Sequence, residues 1–69
     1  MTNKLPEIFY LVEYKTYEDR IEERWLFRSR KEAKNHIKKE LYFNYDRKFG
    51  HWKNEDDYNM FATIITLII

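Results

Sequence analysis

The chain has 69 residues, 36% of them charged and 19% aromatic, with no cysteine and a formal net charge of +1. At this length only roughly 60% of the unfolded chain's surface can be buried, which allows one thin core in one domain and no deep substrate cleft. The lack of cysteine excludes disulfides and thiolate metal sites, and a pI near 8.0 argues against a surface built wholly for nucleic acid, since such domains commonly exceed a pI of about 9.

Residues Met1 to Glu7 are polar, contain Pro6 and read as a lead-in to a first strand. Met1 to Tyr10 lacks the basic start, apolar run and small-residue cleavage site of a secretory signal. Ile8 to Tyr17 is dense in β-branched and aromatic residues, the composition of a pleated, partly buried surface. One side of this strand carries Ile8, Tyr10, Val12 and Tyr14, the other Phe9, Leu11, Glu13 and Lys15, so both sides are apolar in the first half. Glu18, Asp19 and Arg20 make the hairpin connection, longer than two residues because no Asn-Gly or Asp-Gly is present. The second strand spans about Ile21 to Arg28, with Trp25 and Phe27 on one side and Leu26 among Arg24 and Arg28 on the other.

Ser29-Arg30-Lys31-Glu32 matches the capping box S-x-x-E, in which the serine accepts an amide of the first turn and the glutamate reaches back. A helix therefore starts at Arg30. Ala33, Ile37, Leu41 and Tyr45 recur every fourth residue and stack on one face, which predicts a helix over Arg30 to Arg47, with Gly50 the next residue suited to terminate it. Gly50 to Tyr58 reads as a polar connection with room for one short strand. Asn59 to Ile69 carries no charge and reads as a buried strand, placed in the middle of the sheet or beside strand one because its uncharged sides make a poor open edge.

The expected fold is thus α+β, a small β-β-α-β domain. Its mainly antiparallel sheet has three strands, or four if the polar connection holds one, and one helix packs on one face. The apolar run Met60 to Ile69 is too short for the roughly 20 residues of a membrane span, so no membrane role is expected. Lys, Asn, Ile, Tyr and Phe, whose codons are AT-rich, are abundant, which suggests a bacterial or phage genome. With no cysteine, signal or span, the expected location is the cytoplasm of a bacterium, or of the host if the protein is phage-encoded.

The functional content is sparse. His36 and His51 are the only histidines, and no Ser, Cys or Asp stands at the spacing of a nucleophile elbow or triad. Glu55-Asp56-Asp57 lacks the alternation and central glycine of a calcium loop. A single glycine cannot build a phosphate cradle. No enzyme, cofactor or metal is expected.

The segment Arg28 to Lys39 holds six basic residues against one acid. On a helix Lys31, Lys34 and Lys38 fall within an arc of about 60°, beside Tyr42 and Tyr45. A solvated face is the plain reading of such a stripe. Its functional reading is a surface for an acidic protein or for phosphates. Glu18, Asp19, Glu22 and Glu23 give the molecule an opposite pole.

The expected function is a small non-enzymatic protein-binding module, with inhibition of a host protein by a phage or mobile-element product as one form. The alternative is a small nucleic-acid-binding or regulatory protein. Lys31, Lys34, Lys38, Tyr42, Tyr45 and Trp52 are the candidate binding residues. Because two strands are apolar on both sides, the face opposite the helix is expected to be covered by a second copy of the chain, by another protein, or by the Gly50 to Tyr58 segment folding back with Trp52 at its head.

Overall fold

The computed structural model describes residues 5–69, so the first part of the polar lead-in, residues 1–4, lies outside the described residues. The element order is β1 (Ile8–Thr16), β2 (Ile21–Phe27), α1 (Arg30–Lys39), β3 (Tyr42–Asp46), β4 (His51–Asn54) and β5 (Met60–Ile68). The class is α+β as expected, but five antiparallel strands form one sheet in the order β2-β1-β5-β4-β3, rather than three or four. The uncharged β5 lies at the centre, pairing with β1 along its whole length from Ile8↔Ile68 to Thr16↔Met60.

The β1–β2 hairpin turns where the acidic segment placed it. The Thr16 amide donates to the Arg20 carbonyl at 2.9 Å and the Asp19 amide to the Thr16 carbonyl at 3.0 Å, with Asp19 at φ 60. Asp tolerates that left-handed conformation better than most residues because its short polar side chain can bond locally.

The helix begins as the capping box requires, Ser29 Oγ accepting the Glu32 amide at 3.0 Å. It ends at Lys39, not Arg47. The chain leaves it through Leu41 at φ 69, and the stretch assigned to its last two turns forms β3 instead. The reason is tertiary. Tyr42 is 5% exposed and packs on Tyr14 with ring centroids 4.9 Å apart, while Tyr45 pairs with Trp52 across β3 and β4. Aromatic residues suit a pleated surface, and β4 supplies the partner that makes one. Gly50, at φ 68, closes the β3–β4 turn with its amide on the Asp46 carbonyl at 2.8 Å, so its positive φ serves a hairpin and not a helix end.

The helix crosses one face of the sheet, connecting β2 at one edge to β3 at the other. Ala33 and Ile37 are its buried residues, set against Val12, Tyr14, Tyr42 and Ala62, with Phe27, Trp52 and Ile64 around them. His36 ties the same helix to β1, its Nδ1 2.6 Å from the Tyr14 hydroxyl, and its ring lies 4.8 Å from Trp25 and 5.3 Å from Phe27. Burial, followed by the nearby Glu40 carboxylate, pushes the Tyr14 hydroxyl well above the ordinary tyrosine range. Tyr14 therefore stays protonated and serves as a fixed hydrogen-bond partner.

Trp52 stands on the helix side of β4, packed against the core, so it does not lead a fold-back over the opposite face. That second face is open in part. Phe9, Leu11, Leu26, Ile65 and Leu67 fall together on one half of it by register, Leu26 and Ile65 being exposed. On the other half Glu13 is 5% exposed, held by Arg24 Nε at 2.8 Å and Lys15 Nζ at 3.5 Å. Among the described residues no helix is long and apolar enough to cross a membrane.

Candidate functional site

The helix cations and the β3–β4 aromatics meet in one groove. Arg30, Lys34 and Lys38 form one wall, at i, i+4 and i+8 along α1, and Tyr45 and Trp52 form the other, around an open depression of about 400 Å³. The i, i+4 spacing places the three cations one above another on the helix. The two rings are tilted at 57° with centroids 4.6 Å apart. Tyr45 is 49% exposed, so its ring remains available to a ligand.

The groove cations are electrostatically free. The ion pairs among the described residues are Glu13 with Lys15 and Arg24, and Asp46 with Lys53; none involves Arg30, Lys34 or Lys38. Lys38 sits in the last turn of the helix, where a cation complements the carbonyl end of the macrodipole. Arg30 occupies the first helical position, where the same dipole disfavours positive charge. Its charge is therefore not explained by helix stability.

Of the residues singled out from sequence, Lys34, Lys38, Tyr45 and Trp52 are brought together. Lys31 lies one ridge away, in an adjoining open depression that shares Arg30, Lys34 and Lys38 with the groove and adds Asn35. Tyr42 is core rather than surface, and burial raises its hydroxyl pKa, partly opposed by a hydrogen bond with Asn54. Arg30 joins them from outside the lysine arc, its spacing of four to Lys34 and eight to Lys38 being the signal in the sequence.

Two other places hold chemistry-bearing side chains. His51 is 7% exposed, between Phe49 with parallel rings 5.6 Å apart and Phe61 at 4.5 Å, and its Nε2 has no hydrogen-bond partner. Desolvation holds its pKa below the ordinary imidazole value, against a smaller opposing pull from Asp46. The Tyr14–His36 pair is the other. Its Nδ1 is engaged by a tyrosine kept protonated, so the pair ties helix to sheet rather than offering an open base. Among the described residues no three His, Asp or Glu side chains converge in a metal-binding group. No family model, curated protein or solved structure matches the chain, so no relative's activity bears on the site.

Proposed function

We propose that the protein is a non-enzymatic binding module whose groove between α1 and the β3–β4 hairpin takes an acidic segment of another protein. The observation that carries this reading is the unpaired cation row Arg30, Lys34 and Lys38 facing the Tyr45–Trp52 pair. Carboxylates of a docked segment would meet the cations, and an apolar side chain between them would lie on the rings. Three cations make a short footprint, and Glu18, Asp19, Glu22 and Glu23 at the other hairpin would repel a polyphosphate chain running across the molecule. Single-stranded nucleic acid is the second reading, favoured by the aromatic pair beside cations, the combination on which bases stack while phosphates are neutralised.

A labelled peptide rich in Asp and Glu with one central Phe, titrated against the protein in parallel with an oligothymidine strand, separates the two. The peptide should bind and the oligonucleotide should bind more weakly. Lys34→Glu together with Lys38→Glu removes two attractions and adds two repulsions; at about 0.5 kcal/mol each this is about 2 kcal/mol, or about 30-fold weaker binding. Tighter binding of oligothymidine, with log affinity falling against log salt at a slope near −2 for about three neutralised phosphates, would move the assignment to nucleic acid. Absence of binding by both probes would remove the groove from consideration.

A further inference from the structure

The central strand is open at the C-terminal end of one edge, and we propose that this edge pairs antiparallel with the same edge of a second copy, joining two five-stranded sheets into one of ten strands. Glu7 and Ile69 exchange both backbone hydrogen bonds, at 3.0 and 2.9 Å, and the Tyr17 amide bonds the Asn59 carbonyl at 3.2 Å. Odd-numbered residues of β5 therefore face β1, and even-numbered ones direct their N–H and C=O the other way. On that side β4 pairs only at Trp52↔Ala62 and Lys53↔Phe61. Thr66 and Ile68 extend beyond it, and among the described residues their outward backbone groups have no backbone partner.

The other two edges of the sheet are protected and this one is not. The β2 edge carries Glu22, Glu23 and Arg24, and the short β3 edge is interrupted by an irregularity between Tyr42 and Asn44. Charges and bulges are the ordinary means of blocking edge pairing. From Met60 to Ile68 the β5 strand has neither, and Thr66 and Ile68 are exposed.

The occupant is a second copy because of charge. A two-fold antiparallel pairing sets each residue opposite itself or a near neighbour of the same strand, so any charged residue would face its own kind; β5 contains none. With Leu67 on the two-fold axis, Thr66 lies opposite Ile68 of the second copy and Ile65 opposite Ile69, a register that keeps the second copy clear of His51, which the β4–β5 pairing sets opposite Thr63. The outward groups of Thr66 and Ile68 in both chains then close about four hydrogen bonds. The apolar half of the open face runs on across the seam. The pairing is closed, because each copy spends its one unprotected edge.

Light scattering over a micromolar-to-millimolar dilution series should give twice the chain mass at high concentration, falling to the single chain on dilution. Thr66→Lys, which sets two ammonium groups diagonally across the axis on one face, should give a folded monomer throughout, checked by circular dichroism. A wild-type monomer at every concentration, or a dimer persisting in folded Thr66→Lys protein, would overturn the proposal. Should that variant fail to fold, hydrogen exchange on the wild type decides: the Thr66 amide should be protected at high concentration and lose protection on dilution. Fast exchange there at all concentrations would equally overturn it.

Discussion

Ile37 is the side chain through which the helix is seated, and its replacement by valine tests that seating quantitatively. It is 0% exposed and is the only large apolar residue that α1 buries; Ala33, its companion, is small. Removing one methyl group forfeits about 0.8 kcal/mol of transfer free energy, and a cavity contribution brings the total to about 1–1.5 kcal/mol if the site does not collapse. For 69 residues the unfolding entropy is about 0.14 kcal/mol/K, so the melting temperature should fall by about 7–10 °C. Ile37→Ala, at about 2–5 kcal/mol, approaches the whole stability of a chain this size, about 3–10 kcal/mol, and should leave much of the protein unfolded. Urea titration and thermal melting at one fixed protein concentration measure both, fixed because association raises apparent stability. An unchanged midpoint for Ile37→Val, with an unchanged urea slope, would mean that the helix is not anchored there. The groove wall carried by Lys34 and Lys38 would then lose its stated support.

Ser29→Ala removes the acceptor of the Glu32 amide and should cost about 1 kcal/mol; an unaltered urea midpoint would show that the helix start does not depend on this cap. His51 predicts a pH dependence. Its folded-state pKa is depressed by desolvation, so the unfolded chain takes up the proton first as pH falls from neutral. Stability should therefore decline as pH drops below the ordinary histidine value of about 6.5 and through the lower folded value, and then level off for this group. His51→Leu should flatten that part of the urea-midpoint profile; a wild-type profile that rises on acidification between pH 7 and 5.5 would contradict the burial of a neutral imidazole.

How far the fold could be read beforehand depended on whether local or distant contacts decide each element. The first hairpin, the helix start at Ser29 and the central place of the uncharged β5 are written in short-range composition, and the structure has each of them; the expected burial of β5 is met only at Ala62, because β4 and the helix cover its first half and leave Ile65, Thr66 and Ile68 exposed. The helix end is different. The fourfold spacing of Ala33, Ile37, Leu41 and Tyr45 is compatible with a longer helix, but only the first two are buried, and Leu41 is 45% exposed in a left-handed conformation. What overrides the spacing is the pairing of Tyr42–Asp46 with His51–Asn54, a contact between segments whose match cannot be read from either alone. A local clue to that hairpin was present: Asp46 Oδ1 accepts the amide of Lys48 at 2.9 Å, a turn chemistry common for Asp, and Gly50 follows at positive φ. The lysine arc was legible because it needs only helical geometry. Its pairing with Tyr45 and Trp52 from a neighbouring hairpin follows from the fold, as does the withdrawal of Tyr42 into the core.

The claim that the α1–hairpin groove is the binding surface is tested most directly by amide and indole resonances of the folded protein during titration with the acidic peptide. The chain has two tryptophans, Trp52 in the groove and Trp25 on β2, on the far side of the helix from it and beside His36. The Trp52 indole N–H and the Lys34 and Lys38 amides should shift together in proportion to bound peptide, while the Trp25 indole stays in place. A titration that moves Trp25 or the open-face strand residues Leu11 and Leu26, and leaves Trp52 unchanged, would contradict the account.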